Sequence, residues 1–255
     1  MPREIGKPRE TTLKPRWIAL VAATFIALLA TSTSNVYAQA AGTTTSAAPT
    51  EAISPAHIAA ARSALQVIFM DSGAVAYGVH ESFTIIAPRT LAQIRATPRY
   101  AALTPEHQQA LTATFDRLPQ ILADEAVADM PEVFDQYAPR LAAQLSEGEL
   151  NDVSAFFATP GGRSLFMRGM RQGIHQGAGV ADADAGAALS DEENQAFARF
   201  AATPGGQAFQ ARSAQIQPIL AEVGRNATGQ PKVAARMKHE LCAAIGDQCP
   251  PDWRD

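Results

Sequence analysis

Cys242 and Cys249 are the two residues of this 255-residue chain whose chemistry follows most directly from their spacing. On one unbroken helix their Cα atoms would lie about 10 Å apart, beyond the roughly 7 Å that a disulfide can bridge. Gly246 lies between them and can end the helix, so that the chain turns back. Six intervening residues favour a structural disulfide over a redox-active pair, and a metal site would have only His239 nearby as a further ligand.

The other residues with metal-binding or catalytic potential are scattered along the chain. The five histidines include no pair at the i, i+4 spacing of a helical zinc site. Asp182 and Asp184 could contact Ca²⁺, but the segment around them lacks further spaced oxygen ligands. Nucleophile-elbow, Walker and dinucleotide-binding motifs are absent from the sequence. The sequence therefore predicts no catalytic residue, no metal site and no cofactor.

The N-terminal residues have the pattern of a secretory signal peptide. A basic segment precedes an uncharged apolar run of 14 residues, Trp17 to Ala30, and small residues then lead to Ala38 and Ala40. Cleavage can follow either alanine. The apolar run is short for a membrane-spanning helix, which needs about 20 residues, and an uncleaved membrane anchor is the alternative. We predict a signal peptide over residues 1–38 and a bacterial protein that is periplasmic or secreted.

Cleavage after Ala38 leaves an acidic chain. Removal of five basic and two acidic residues gives 16 Lys and Arg against 23 Asp and Glu, a net charge of −7. This charge argues against nucleic acid or anionic lipid as a partner, because both bind clustered basic residues. Residues 39–54 are rich in Ala, Thr and Ser and lack aromatic residues, which predicts a flexible leader. No later stretch approaches membrane-spanning length.

Residues 55–255 are predicted to form a single compact all-α domain of about eight or nine short helices punctuated by proline. Strand signals are scarce and apolar residues recur at helical spacing. Ser54-Pro55 and Thr104-Pro105 mark two helix starts, and Asp129 is expected to cap a third helix.

Several residues are expected to interrupt these helices. Pro119 and Pro139 each remove a backbone donor and should kink or break the helix around them. The segment 71–99 is expected to hold one or two shorter helices broken by Gly78 and Pro88.

One pattern occurs twice and predicts two related modules, at about 145–175 and 189–224. Each begins with a capping box, formed by Ser146 with Glu149 and by Ser190 with Glu193, in which Ser and Glu satisfy two backbone donors reciprocally. About ten helical residues follow, with Phe156 and Phe200 near their ends. The next residues are Thr159-Pro160-Gly161-Gly162 in the first copy and Thr203-Pro204-Gly205-Gly206 in the second.

The Thr-Pro-Gly-Gly segment predicts a sharp corner between two helices. Proline discourages helix at the residue before it but is favourable at the first position of a new helix, which the threonine can cap. Two adjacent glycines cost helix stability, up to about 1 kcal/mol each. Either the absent Cβ atoms allow close packing against the Phe-bearing helix, or the bare N–H groups bind an anion. The packing interpretation is favoured, because no lysine follows and no strand precedes.

The first copy resembles the signature of domain of unknown function 2059, a family of exported helical bacterial proteins. The resemblance is carried by Leu145–Leu150 (LSEGEL) and Phe156–Gly162 (FFATPGG). It covers Ala60 to Arg171 and extends more loosely to about Leu220. The family motif has Phe where this chain has Leu145, and Tyr and Ser in place of Phe157 and Thr159. The family implies the helical fold and export but no established activity.

The functional hypothesis is an exported, non-catalytic envelope protein that binds a partner protein or an apolar ligand between its helices. An adaptable apolar face is available on one predicted helix. It comprises Phe166, Met167, Met170 and Ile174, which alternatively fill the core. The rival hypothesis is a hydrolase whose site is assembled from residues distant in sequence. Clustered histidines and carboxylates in a concave pocket would favour the hydrolase, and an open apolar groove would favour the binding protein.

Overall fold

The computed structural model describes residues 53–184, 186–229 and 231–249, and these residues form helices joined by short connections, with no strand among them. The predicted signal peptide (residues 1–38) and most of the predicted leader lie outside the described residues. The helices are α1 (Pro55–Gln66), a π-helical turn (Val67–Asp71), α2 (Ala74–Arg95), α3 (Pro98–Ala101), α4 (Pro105–Ala142), α5 (Glu147–Ala158), α6 (Pro160–Gly177), α7 (Asp191–Ala201), α8 (Pro204–Ala211), α9 (Ser213–Gly229), α10 (Pro231–Ile245) and a 3₁₀ turn (Gly246–Gln248). The predicted compact all-α fold is confirmed.

Helix α4 is the centre of the fold. It runs for 38 residues, and α1, α2, α9 and α10 pack around it. Its buried face continues through both prolines that were expected to break it, since Leu118 and Leu122 flank Pro119, and Ala138 and Leu141 flank Pro139. Burial of this continuous apolar face outweighs the cost of about 3 kcal/mol for each proline within the helix. An interruption at Pro119 or Pro139 was therefore a wrong prediction, whereas a kink at these residues stays a prediction.

Asp129 lies inside α4 and caps no helix, contrary to the sequence prediction. It is 6% exposed, and its Oδ1 accepts a hydrogen bond of 2.7 Å from Nζ of Lys232 at the start of α10. The capping pattern misled because an aspartate followed by apolar residues is equally compatible with a buried carboxylate that pairs across helices.

Helix α2 is also continuous where the sequence predicted a break. The 22 residues from Ala74 to Arg95 form one helix with Pro88 inside it, and Gly78 is buried rather than helix-ending. Packing of α2 against α4 and α6 supports the helix through both residues.

Two clusters of buried apolar side chains hold the helices together. The main core surrounds α4 and includes the fully buried Leu65, Phe134 and Ile216. A smaller cluster lies between α2 and α6 and consists of Ala74, Met170 and Ile174.

The C-terminal part of the described chain turns back on α10 as predicted. Helix α10 ends at Ile245, and Gly246 adopts a φ of +52°, a conformation that favours glycine. Cys242 and Cys249 form a disulfide with Cα atoms 4.9 Å apart. Within the described residues, no helix combines the length and apolar character required to cross a bilayer.

Candidate functional site

Both predicted capping boxes are formed. At the start of α5, Glu149 N donates to Ser146 Oγ at 3.4 Å, and Ser146 N donates to Glu149 Oε2 at 2.6 Å. At the start of α7, the corresponding distances between Ser190 and Glu193 are 3.2 and 2.8 Å. These reciprocal bonds fix where each helix begins.

Each helix ends at a Thr-Pro step and a new helix begins there. Thr159 and Thr203 are extended, and each accepts a 3.0 Å hydrogen bond at Oγ1 from the second glycine that follows it. Pro160 and Pro204 occupy the first positions of α6 and α8. We call α5–α6 the first corner pair and α7–α8 the second corner pair.

The glycines allow two different close approaches. A Cβ on Gly162 or Gly206 would overlap the carbonyl oxygen of Phe156 or Phe200, at the end of the preceding helix. A Cβ on Gly161 would lie 2.7 Å from the carbonyl oxygen of Glu192 in the opposite corner pair. Side chains cannot be accommodated at such distances without movement of backbone, so the geometry favours the packing interpretation of these glycines.

The second corner pair makes the reciprocal approach. A Cβ on Gly205 would lie 2.6 Å from the carbonyl oxygen of Glu149, on α5. Gly205 N donates to Asp152 Oδ2 at 2.9 Å, so a protein carboxylate occupies the helix N-terminus that an anion could have used. Each corner is thus inserted against the first helix of the other pair.

Phenylalanines at matching positions meet where the two corner pairs join. The rings of Phe156 and Phe200 each lie four residues before the proline, and they stack with centroids 4.3 Å apart and an interplanar angle of 11°. Stacking of this kind stabilises an interface beyond the area that the rings bury.

Two arginines connect the corner pairs in the same reciprocal way. Arg212 of α8's C-terminus donates to Glu149 at 3.1 Å, and Arg168 of α6 donates to Glu193 at 2.9 Å. Arg168 also donates to Ala187 O at 3.1 Å, and Arg212 donates to Gln144 O, so each arginine reaches the chain before the opposite capping box. Each capping glutamate therefore accepts a hydrogen bond from the N-cap of its own helix and another from an arginine of the opposite corner pair.

Sequence reasoning did not identify these two arginines, although a signal was present. Arg168 and Arg212 both stand eight residues after the proline of their own corner. The matching offset predicts matching places on the two helices, but only the folded arrangement shows that each points to the other pair. The interpretation of the two segments as an internal repeat stays a prediction.

The two capping glutamates differ in burial. The side chain of Glu193 is 2% exposed and that of Glu149 is 18% exposed. Burial alone would raise the pKa of Glu193, but hydrogen bonds from Ser190 N, Ser164 and Arg168 outweigh it and hold the pKa below its usual value. Glu193 is accordingly a buried carboxylate whose negative charge is stabilised by three neighbours.

The corner pairs also differ in what covers them. Leu145 and Val153 are each 1% exposed, and α5 packs on α1 and the π-helical turn as well as on α6, α7 and α8. His57 in the first turn of α1 places Nε2 2.6 Å from Leu145 O. At the matching positions of the second corner pair, Leu189 and Phe197 are each 39% exposed. Helix α7 packs mainly on α5, α6 and α8.

The contact between α2 and α6 forms a second candidate site, which we call the α2–α6 seam. Of the apolar face predicted on α6, Met170 and Ile174 are buried there, which agrees with a core-filling role. The other two residues of the predicted face, Phe166 and Met167, are only partly buried. Tyr77 and Ile85 of α2 also pack against this cluster and are partly buried.

Titratable side chains line one end of this seam. His175 Nε2 lies 2.6 Å from Glu81 Oε1, and Arg171 forms ion pairs with Asp182 and Asp184 in the connection after α6. The hydrogen bond to Glu81 raises the pKa of His175, and burial raises the pKa of Tyr77. The contact between His175 and Glu81 was not predicted, because these residues are 94 positions apart in sequence.

The disulfide joins Cys242 of α10 to Cys249, which follows the 3₁₀ turn, and neither cysteine belongs to a corner pair or to the α2–α6 seam. Across the described parts of the chain, no group of three or more His, Cys, Asp or Glu side chains is arranged to hold a metal ion.

Comparison with known proteins agrees with the resemblance seen in the sequence. No curated protein and no solved structure matches the chain. The model of one family, described as an uncharacterized protein conserved in bacteria (DUF2059), matches residues 131–172, which hold the capping box and corner of the first corner pair but not those of the second.

Proposed function

We propose that this protein is an exported, non-catalytic envelope protein that binds a partner protein or an apolar ligand between its helices. The proposal of export is supported by the signal-peptide pattern of residues 1–38 and by the disulfide, since disulfides persist in oxidising compartments. The acidic mature chain disfavours nucleic acid as the partner.

The α2–α6 seam is the observation that supports binding. It is a separate apolar cluster that contains the thioether of a partly buried methionine, Met167, beside the partly buried Tyr77 and Ile85. Methionine is flexible and polarizable, and it is common at surfaces that adapt to different apolar ligands. The polar end formed by His175 and Glu81 would orient a bound molecule, as isolated polar groups do in ligand sites.

A photo-crosslinking residue in place of Met167 tests this function in cells of the native host. We expect an adduct, whose intact mass distinguishes a protein partner from a lipid or another small apolar molecule. The same residue at the exposed Gln207 of α8 is the matched control and should give no adduct. Absence of an adduct at Met167, or equal adducts at both positions, would contradict binding at the seam.

A hydrolase is the second candidate, and the cluster of His175, Glu81 and Asp182 is the observation that favours it. In that case Glu81 would orient the imidazole, which would act as the general base. Both ring nitrogens of His175 face oxygen acceptors, Glu81 Oε1 and, at 3.4 Å, Ala181 O, an arrangement more typical of a structural imidazolium. Hydrolysis of a chromogenic ester by the mature protein, lost in a folded His175→Gln variant, would favour the hydrolase.

A further inference from the structure

Residues 178–184, the segment that follows α6, are bound to two helices by side chains. From α2, Arg89 Nη1 donates to Ala178 O at 3.1 Å. From α6, Arg171 forms an ion pair with Asp182 at 3.4 Å, and the side chain of Asp182 is only 7% exposed. These contacts fix the start and the later part of the segment, and a different side chain holds its middle.

His175 of α6 is that side chain, and it also contacts α2. Its Nδ1 lies 3.4 Å from Ala181 O, and its Nε2 lies 2.6 Å from Glu81 Oε1. A carbonyl and an ionised carboxylate can only accept hydrogen bonds, and a neutral imidazole carries a single donor. The imidazolium, which has a donor on each nitrogen, is therefore the form that bonds to both oxygens at once.

Loss of one proton affects these two bonds unequally. The bond to Glu81 is shorter and has a charged acceptor, so we expect the remaining proton on Nε2. The lone pair of Nδ1 then faces Ala181 O, and that bond is lost. The carboxylates of Glu81 and Asp182, which both act on the ring, also lose a positive charge between them. Both effects favour release of the segment at Ala181, whereas α2 and α6 stay in contact.

The charged and titratable groups around His175 lie on three elements. They are Tyr77, Glu81 and Arg89 of α2, Arg171 of α6, and Asp182 and Asp184 of the segment. Helices α5 and α7 contact α6 nearer its start, at Phe166 and Arg168. The ordinary pKa of histidine, about 6.5, lies between pH 6 and pH 8, and the bond to Glu81 raises the pKa of His175. Burial raises the pKa of Tyr77 further from this interval.

We propose that His175 is a pH-dependent latch, whose imidazolium binds residues 178–184 to α2 and whose neutral form releases the segment at Ala181. The segment begins the connection from the first corner pair to the second, so a rise in pH loosens the start of that connection. The inference does not depend on binding at the α2–α6 seam, because it concerns bonds within the chain.

A nitroxide spin label on an Ala181→Cys variant tests the latch, because the side chain of Ala181 is exposed and its carbonyl is the acceptor that neutral His175 loses. The full mature protein is labelled with its disulfide intact. We expect the mobile fraction of the spectrum to rise at least about threefold between pH 6 and pH 8, as the imidazole passes from mostly charged to mostly neutral. The same label on Ala198→Cys, at an exposed position of α7, is the matched control and should give one spectrum at both pH values.

Two further substitutions connect this change to His175. His175→Gln has no charge to lose, so the label at position 181 should be equally mobile at pH 6 and pH 8. Glu81→Gln removes the carboxylate that raises the pKa of His175, so the change in mobility should move to lower pH. Circular dichroism checks that both variants are folded.

Three results would overturn the proposal. They are a pH-independent spectrum of the label at position 181, a pH-dependent change that persists in the folded His175→Gln variant, and an unchanged midpoint in the Glu81→Gln variant. A missing crosslink at Met167 would contradict the proposed binding function but would leave the spectra of the label at position 181 unchanged, so the two failures are distinguishable.

Discussion

The two corner pairs have the same local construction in different surroundings. Both begin with a Ser–Glu capping box, turn at Thr-Pro-Gly-Gly and give an arginine to the opposite glutamate. The first pair is covered by α1, and its second helix, α6, continues for 18 residues. The second pair is open on α7, and its second helix, α8, ends after eight residues, just before Arg212.

This comparison separates what the local sequence determines from what the surroundings determine. Caps and corners depend on bonds between residues a few positions apart, and they are the same in both pairs. Exposure and helix length depend on distant elements, and they differ. A substitution in the caps or corners should therefore have similar effects in both pairs, whereas a substitution on the outer faces should not.

The largest effect is expected for Gly206→Ala and Gly162→Ala. The new Cβ would overlap the carbonyl oxygen of Phe200 or Phe156, and neither backbone can move without opening the corner. We expect each substitution to reduce the free energy of unfolding by more than about 4 kcal/mol, despite the better helix propensity of alanine. Thermal unfolding followed by circular dichroism measures this loss.

Gly169→Ala is the matched control for the corner glycines. It lies within α6, and a Cβ added there would have no heavy atom within 4 Å, so alanine should stabilise the helix by up to about 1 kcal/mol. If Gly162→Ala and Gly206→Ala behaved like Gly169→Ala, close packing would not explain the glycines. A large effect at only one corner would show that the two corners are not equivalent.

The next largest effect should distinguish the covered face from the open one. Leu145→Ala leaves a cavity beneath α1 and should cost about 3 kcal/mol, whereas Leu189→Ala changes an exposed side chain and should cost less than about 0.5 kcal/mol. Chemical denaturation of both variants measures the difference. Equal losses would mean that Leu189 is covered by an element other than those described, and would remove the contrast between the two faces.

The parts of this fold that could be predicted from the sequence are those set by short-range chemistry. Ser146 and Ser190 were recognised because a Ser-x-x-Glu pattern satisfies backbone donors within one turn. Gly246 was recognised because glycine readily adopts the positive φ that ends α10. The matching corners and the cysteine pair followed from similar reasoning.

The remainder depends on contacts that the sequence does not show. Pro119 and Pro139 stay inside α4 because helices from both ends of the domain pack on it, and propensity is a weak guide against such packing. Likewise, Phe197 is exposed because no described helix covers that face of α7, although an apolar residue at that helical position normally predicts core.

A smaller difference in the free energy of unfolding is expected between variants that remove the arginine of each ion pair. Arg168→Ala leaves the buried Glu193 without its charged partner and should cost about 2 kcal/mol. Arg212→Ala leaves Glu149, which is more exposed, and should cost less than about 1 kcal/mol. Chemical denaturation at neutral pH measures both losses. Equal losses would contradict the idea that burial of the glutamate makes the two pairs unequal.

Lowering the pH tests the contribution of the buried Glu193 carboxylate to stability in a second way. Because its hydrogen bonds hold the pKa of Glu193 below the ordinary value of about 4.5, its contribution to stability is complete above that value. The contribution is lost as the pH falls through the lower, folded-state pKa. A Glu193→Gln variant should therefore lose less stability than the unmodified protein between pH 5 and about pH 3, and identical acid profiles would contradict this assignment.

The smallest effect concerns a contact that only the first corner pair has, the tether from His175 of α6 to Glu81 of α2. The hydrogen bond to Glu81 raises the pKa of His175, so its stabilisation is complete below the unfolded value of about 6.5 and is lost as the pH rises through the folded value. Between pH 6 and pH 8 the unmodified protein should therefore lose stability by less than about 1 kcal/mol, typical of a partly exposed ion pair. His175→Gln and Glu81→Gln should each remove this slope in melting temperature, because either change eliminates the same charged pair. If the slope survived in both variants, the pH dependence would arise from other groups. The contact between His175 of α6 and Glu81 of α2 would then be a neutral hydrogen bond, and it would not make the packing of these helices depend on pH.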